Sequence, residues 1–188
     1  MKTSPLFAGV ALALFLAGPV AAKSRTVTDP DAPRSVPAEG AVSVDWTDPA
    51  QFSEIRHSMN RWEAKRGNWV EQLARHLQTS AAKRLPPGER LQVTLTDITR
   101  AGDYEPWHGV NAQDTRIVRD IYPPRISLTF KRTDAQGNVI AEGERKLSDS
   151  GFMYNGSTIG SNDTLRYEKR LLDDWVRKEF RSPELTAR

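Results

Sequence analysis

Apolar and polar residues alternate along four stretches of the chain. The stretches begin at Val42, Leu91, Ile126 and Val139. A period of two is typical of a strand that buries one of its faces. A Gly-containing turn at 134–138 separates the last two stretches, so we predict that they form a β-hairpin.

Two other stretches repeat their apolar residues at the spacing of an α-helix. The first extends from Trp62 to Ala81 and ends before Pro86, Pro87 and Gly88. The second extends from Leu165 to Phe180 and follows Asn162, Asp163 and Thr164, whose side chains favour a helix N-terminus. The pattern therefore predicts two amphipathic helices.

The predicted elements follow one another as β-α-β, a long connection, and then β-β-α. Alternation on one side only, in every strand, favours a mainly antiparallel four-stranded sheet with two helices packed on one face. The sequence thus predicts a single α+β domain at 41–181, followed by a C-terminal tail at 182–188.

The first 22 residues have the three-part pattern of a secretory signal peptide. Lys2 precedes an apolar run from Leu6 to Ala17, and a helix-breaking Gly18-Pro19 precedes Val20, Ala21 and Ala22. The apolar run is too short to span a bilayer, which takes roughly 20 residues. We therefore predict cleavage after Ala22, a periplasmic location and no stable membrane anchor after cleavage.

Residues 23–40 are rich in Pro, Ser, Asp and Ala, and this composition predicts a disordered Pro-rich leader. The chain contains no cysteine, which excludes disulfides, thiolate metal ligands and a lipid-modified N-terminal cysteine. It contains 27 basic and 24 acidic residues, and the basic ones are not clustered. Nucleic acid is therefore not an expected partner.

The connection from Arg100 to Pro124 is unusually long for a compact domain, and such loops are usually either functional or disordered. Its many aromatic and aliphatic residues predict that it is ordered and partly buried. We take the charged and aromatic residues in and beside this connection as candidate ligand-binding residues. They are Asp97, Glu105, Trp107, Arg116, Arg119, Asp120, Tyr122, Arg125 and Asp149.

Two interpretations of the charged candidates remain open. In the first, ion pairs that include Asp97, Glu105 and Asp149 hold the connection against the sheet, and a helix or turn at 117–122 would let Arg116 pair with Asp120. In the second, the arginines form a pocket for a carboxylate or a phosphate, because the planar guanidinium matches such anions.

Trp107 also allows two interpretations. It either covers the end of the hydrophobic core or, with the neighbouring Tyr104, offers an aromatic face to a sugar or a peptide.

Four strings in the mature chain are distinctive as a set. They are LPPGERLQVTLTDITRAGDYEPW, RIVRDIYPPRISLTF, GERKLSD and LRYEKRLLDDW. From about Val42 to Phe180 the chain resembles a family of exported bacterial proteins catalogued as domain of unknown function 3016. The resemblance implies a location outside the cytoplasm and a shared fold. It implies no activity and no functional residues, because the family has no established activity.

Recognisable catalytic signatures are absent. His57, His76 and His108 are far apart and no HExxH occurs, so the sequence indicates no metal and no cofactor. The GSTIG string at 156–160 lacks the G-x-S-x-G spacing of a nucleophile elbow.

We therefore predict a non-enzymatic binding or envelope-associated module, with Trp107 and Arg119 on its working surface. Its expected partner is an unknown envelope component or a small anionic or glycan ligand.

Two alternatives remain. One is a cell-wall hydrolase that uses Asp97, Glu105 or Asp149 as acid or base, with Arg119 or Arg125 as electrostatic stabiliser. The other is a structural or assembly protein that buries apolar surface of the last helix against a partner.

Overall fold

The computed structural model describes residues 25–38, 40–154 and 161–180. The predicted signal peptide, the GSTIG string and the predicted C-terminal tail lie outside the described residues. No helix in the described part of the chain is long and apolar enough to cross a membrane.

The described part of the chain contains six strands and four α-helices. In chain order they are β1 (Val42–Trp46), α1 (Ser53–His57), α2 (Arg61–Lys65), α3 (Trp69–Ala82), β2 (Arg90–Thr99), β3 (Asp103–Tyr104), β4 (Arg116–Ile117), β5 (Arg125–Thr133), β6 (Val139–Ser148) and α4 (Arg166–Glu179). The long helices α3 and α4 pack against each other and against one face of the main sheet. The predicted α+β fold is confirmed.

The main sheet has the strand order β1-β2-β5-β6. Its β2–β5 and β5–β6 pairs are antiparallel, and the β5–β6 pair is the predicted hairpin. β1 and β2 pair in parallel, so the sheet is mixed rather than purely antiparallel. The reason is that the helices between β1 and β2 return the chain to the end of the sheet where it started, which is how parallel neighbours are connected.

Alternation along the strands separates a buried face from a polar face. Val44, Val93 and Leu128 point into the core, where they meet Leu73 of α3 and Leu172 of α4. The apolar stripe of α4 is thus used inside the chain, against α3 and the sheet. The opposite face of the sheet carries polar side chains that are partly or fully exposed, namely Thr94, Ser127, Thr129, Lys131 and Lys146.

The first predicted helix is divided in two, which corrects the sequence prediction. Gly67, with a φ of +84°, separates α2 from α3, and Trp69 closes the break by donating its indole N–H to the Ala64 carbonyl at 2.9 Å. Trp62 on α2 is 70% exposed and is not a core residue. Apolar spacing alone did not reveal the break, because Trp62 and Trp69 are seven residues apart, which is about two turns of an unbroken helix.

Residues 25–38 lie against the domain, whereas the sequence predicted a disordered or extended leader before a domain that begins at 41. The Val36 N–H donates to the Val44 carbonyl at 3.1 Å, and the Trp46 N–H donates to the Arg34 carbonyl at 2.9 Å. The Val36 side chain is buried. Pairing with the free edge of β1 uses backbone groups that every sequence has, so a polar composition does not prevent it.

The long connection is ordered and partly buried, as predicted. β3 and β4 form a small antiparallel pair within it, and two 3-10 turns, Pro106–His108 and Val110–Ala112, lie between them. Gly102 lets this pair approach closely, because its φ is +80° and a Cβ there would lie 2.6 Å from the Ile117 carbonyl oxygen.

Candidate functional site

A buried ion-pair cluster joins the long connection to α1. Arg116 donates to both carboxylate oxygens of Glu54, at 2.8 and 3.0 Å, and Arg100 donates to the same carboxylate through its side chain and its backbone N–H. Burial alone would raise the pKa of Glu54, but the two guanidinium groups outweigh burial and lower it. Arg116 also donates to the backbone carbonyls of residues 100–102. This cluster has a structural role, because its donors and acceptors form hydrogen bonds with one another.

Arg116 therefore pairs with Glu54, not with Asp120 as the sequence suggested. β4 holds Arg116 in an extended segment, the chain turns only at 119–122, and Asp120 is exposed. Sequence reasoning missed Glu54, because an acidic residue in the first turn of a helix is ordinary and signals no distant partner.

A second carboxylate, Glu168 at the start of α4, lies buried beside the connection. One of its oxygens accepts the Ala101 N–H at 2.6 Å, and the other has no hydrogen-bond partner in the described structure. Burial raises the pKa of Glu168 despite that hydrogen bond and the nearby positive charges of Arg100 and Arg116. The folded protein therefore holds the Glu168 proton more tightly than an unfolded chain does.

Glu105 forms the centre of a cluster within the connection itself. Its carboxylate accepts hydrogen bonds from Arg119 at 3.0 Å and Tyr122 at 2.9 Å, and it lies 2.8 Å from the His108 Nε2. Burial would raise the pKa of Glu105, but the hydrogen bonds from Arg119 and Tyr122 lower it. The Glu105 carboxylate is buried beneath its partners, whereas the Arg119 and His108 side chains remain half exposed at the surface.

The other predicted residues occupy separate places. Asp97 accepts the Ser53 N–H at 2.6 Å and the Ser53 hydroxyl at 2.7 Å, and Asp149 accepts the Gly151 N–H at 3.0 Å. Trp107 is 61% exposed, so it does not cover the end of the core.

Arg125 lies in a groove on the polar face of the sheet, with a volume of about 490 Å³. Strand register places the lining side chains in two rows, Thr99–Arg125–Ser148 and Asp97–Ser127–Lys146. Ser53 and His57 of α1 line one side, and Leu147 also contributes. Among the described residues, no hydrogen bond or ion pair engages the Arg125 guanidinium. We call this cavity the Arg125 groove.

Five exposed apolar side chains lie on the two segments 59–62 and 107–121. They are Met59 (58% exposed), Trp62 (70%), Trp107 (61%), Val110 (82%) and Ile121 (64%). Asn60 joins the two segments, because its side-chain amide donates to the Gln113 carbonyl at 3.0 Å and to the Asp114 carboxylate at 2.9 Å. We call this region the Trp62–Trp107 surface. The sequence predicted a working surface with Trp107 and Arg119 but missed Trp62, whose helical spacing suggested a core position.

No group of three or more potential metal-ligating side chains that could hold a metal occurs in the described ranges. In and beside the long connection, the described side chains form two ion-pair clusters, a polar groove and an apolar surface.

Comparison with known families agrees with the strings noted in the sequence. The family model described as "Protein of unknown function (DUF3016)" matches residues 40–178. This range contains every candidate residue considered above. Neither the search of curated proteins nor the search of solved structures gave a match.

Proposed function

The chain belongs to the DUF3016 family, and we propose a function for it on the basis of its own side chains. The protein is an exported, non-enzymatic module that associates with the cell envelope by binding the surface of an anionic membrane. The Trp62–Trp107 surface is the part that makes contact.

The single observation that carries this proposal is a set of five exposed apolar side chains on two segments that Asn60 joins. Five large apolar side chains on the Trp62–Trp107 surface are each more than half exposed. Contiguous exposed apolar surface marks interaction sites for proteins or membranes. Trp in particular is enriched at the membrane–water interface, where its ring is buried and its N–H stays near polar groups.

The charges around this surface favour an anionic bilayer as the occupant. Arg56, Arg61 and Arg66 are exposed on the α1–α2 segment, and Arg119 is half exposed on the connection. Each basic residue close to an anionic lipid surface contributes about 1 kcal/mol. Arg66 is paired with Glu63 at 2.8 Å and Arg119 with Glu105 at 3.0 Å, and Asp114 and Asp120 are exposed on the connection. Attraction to an anionic surface therefore depends mainly on Arg56 and Arg61.

The surface is also held in place before it meets a membrane. The Asn60 side-chain oxygen accepts the Glu63 N–H at 3.1 Å and so caps α2, while the amide of the same side chain holds the connection. A preorganised surface loses less conformational entropy on binding than a mobile one. Short helices and turns can therefore present Trp62 and Trp107 at low cost.

The signal-peptide pattern supports the location in which this binding would occur. A chain cleaved after Ala22 carries no membrane-spanning segment in its described residues, so its attachment to a membrane would be peripheral and reversible. An exported protein meets the envelope membranes directly.

Vesicle sedimentation tests the proposal. The chain from Lys23 onward is incubated with vesicles of phosphatidylcholine alone, or of phosphatidylcholine mixed with phosphatidylglycerol. We expect the protein to pellet with the anionic vesicles. Replacing both Trp62 and Trp107 with Ala should weaken binding by at least about tenfold, because burial of one large apolar side chain contributes about 1.5–3 kcal/mol.

The matched control is the double variant Val139→Ala with Ile140→Ala. These two side chains are also exposed, but they lie next to the hairpin turn, at the end of β5 opposite to Arg125. The control should bind as the unmodified chain does. Equal losses in both double variants, or no sedimentation of the unmodified chain, would contradict the proposal.

A cell-wall hydrolase is the second candidate, and Asp97 is the observation that favours it. Asp97 lines the Arg125 groove, whereas Glu105 is closed by three hydrogen-bonding partners. Asp97 is the one carboxylate among the described residues that line this groove, so the pair of carboxylates that glycosidases use is missing there. Release of soluble fragments from peptidoglycan by the unmodified chain, lost in Asp97→Asn, would favour the hydrolase over the binding module.

A further inference from the structure

We infer that the Arg125 groove binds the phosphate group of a ligand. This inference goes beyond membrane association, and it depends on different residues.

A β-bulge and the strand register determine which side chains face the groove. The register of β2 against β5 shifts between Leu95 and Asp97, so that Asp97 and Thr99 point to the polar face while Ile98 points into the core. Bulges commonly redirect a side chain in this way. The result is a patch of polar side chains from three adjacent strands, opposite the face covered by α3 and α4.

One basic group of the groove has no partner among the described residues, and the other has an exposed one. The Arg125 guanidinium has no partner among the described residues, and Lys146 is 78% exposed and forms a surface ion pair with Glu144 at 3.5 Å. By contrast, Arg100, Arg116 and Arg119 are all paired. Arg125 is therefore the arginine of this region that is available to an external anion.

The one acidic side chain among the described residues that line the groove already accepts hydrogen bonds. Both oxygens of the Asp97 carboxylate accept hydrogen bonds from Ser53, one from the backbone N–H and one from the hydroxyl. These contacts orient the carboxylate toward the start of α1. Arg125 and Lys146 then outnumber it along the groove.

Phosphate fits this set of donors better than carboxylate does. A guanidinium can bind two oxygens of a phosphate side by side, which leaves further oxygens for Lys146 and for the hydroxyl groups. Thr99, Ser127 and Ser148 place hydroxyl groups in the same two rows. A carboxylate has only two oxygens and would leave most of these donors unused.

The size of the groove indicates that the phosphate belongs to a larger molecule. Its volume of about 490 Å³ is in the usual range for small-molecule sites. A smaller adjoining cavity of about 120 Å³ shares Ser53, His57, Thr99 and Arg125 with it and extends to Ile121. Since Ile121 belongs to the Trp62–Trp107 surface, the phosphate could be carried either by a lipid headgroup or by a freely diffusing molecule.

Nuclear magnetic resonance titration of the 15N-labelled chain from Lys23 onward tests the inference. One arm uses inorganic phosphate at constant ionic strength. The other arm uses a short-chain phosphatidylglycerol below its micelle concentration. We expect saturable shifts that are largest at the amides of Arg125, Ser127 and Lys146. Saturation by inorganic phosphate assigns the site to free phosphate compounds, and saturation by the lipid alone assigns it to headgroups.

The variant Arg125→Gln should weaken binding by about tenfold or more, because a hydrogen bond to a charged group contributes about 1.5–3 kcal/mol. The matched control is Lys131→Gln, which removes the same unit of charge from the same face of β5, roughly 20 Å along the strand. Lys146→Gln is a second groove variant in case Arg125→Gln fails to fold.

Absence of saturable shifts in both arms, or an equal loss in Lys131→Gln, would overturn the inference. Replacement of Trp62 and Trp107 with Ala should leave the titration with inorganic phosphate unchanged. The phosphate site and the membrane surface can therefore fail independently.

Discussion

Arg116 grips the carboxylate of Glu54 with both of its terminal nitrogens, at 2.8 and 3.0 Å, across 62 positions of sequence. The contact joins the long connection to the short helix that follows β1. Because both the Trp62–Trp107 surface and the Arg125 groove border these two segments, the pair holds the candidate functional regions in place.

Removal of the Glu54 charge should strongly destabilise the fold. In Glu54→Gln, the buried guanidinium groups of Arg100 and Arg116 lose their counter-ion, and breaking a buried ion pair in this way costs about 3–5 kcal/mol. Urea unfolding followed by fluorescence measures the loss. The control Glu71→Gln removes a surface pair with Arg75 and should cost less than about 1 kcal/mol. Similar losses of unfolding free energy in both variants would show that the Glu54 cluster does not stabilise the fold as a buried ion pair.

Glu168 should make the fold less stable as pH rises. Its pKa is raised in the folded protein, so the folded state binds the proton more tightly than the unfolded state does. The stabilising effect of that proton is complete below the unfolded pKa and is lost as pH increases through the folded pKa, by about 1.4 kcal/mol for each unit of pKa elevation.

Unfolding free energies of the unmodified chain and of Glu168→Gln, measured from pH 4 to pH 8, test this expectation. The unmodified chain should lose stability relative to the variant as pH increases. A difference that stays constant across this range would mean that the Glu168 carboxyl has no raised pKa.

Glu105 should control the ionisation of Tyr122. The hydrogen bond that Tyr122 donates to the Glu105 carboxylate, together with burial, raises the pKa of this phenol above its ordinary value. In Glu105→Gln the negative acceptor is lost, so the pKa of Tyr122 should decrease. Ultraviolet titration of the phenols, with Tyr122→Phe used to identify the relevant transition, measures the change. An unaltered titration would argue against the contact.

Gly102 should tolerate Ala less well than Gly109 does. Both glycines have positive φ values, +80° and +103°, so both substitutions carry a backbone penalty of about 1–2 kcal/mol. Only at Gly102 would the added Cβ collide with backbone, 2.6 Å from the Ile117 oxygen, whereas nothing lies within 4 Å at Gly109. Thermal unfolding of Gly102→Ala and Gly109→Ala separates the two effects. Equal decreases in melting temperature would exclude close approach of β3 and β4 at this point.

Local sequence patterns were sufficient to locate elements that have a regular apolar period or a characteristic turn. Alternation located the four strands of the sheet, and Asp134 and Gly137 marked the hairpin turn, where Asp134 accepts the Gln136 and Asn138 N–H groups. The same patterns could not show that Gly67 breaks the first helix. A backbone break depends on one residue with positive φ, and the apolar spacing on either side of it continues unchanged.

The amino-acid sequence alone determined that the chain forms an α+β fold, which face of each main-sheet strand is buried, and which family it belongs to. Only the tertiary structure decided which charges are satisfied. Glu54 forms an ion pair with Arg116, Glu105 forms one with Arg119, and Arg125 has no partner among the described residues. The physical reason is that apolar periodicity is a property of neighbouring residues, whereas an ion pair requires two groups within about 4 Å that can come from any two points of the chain.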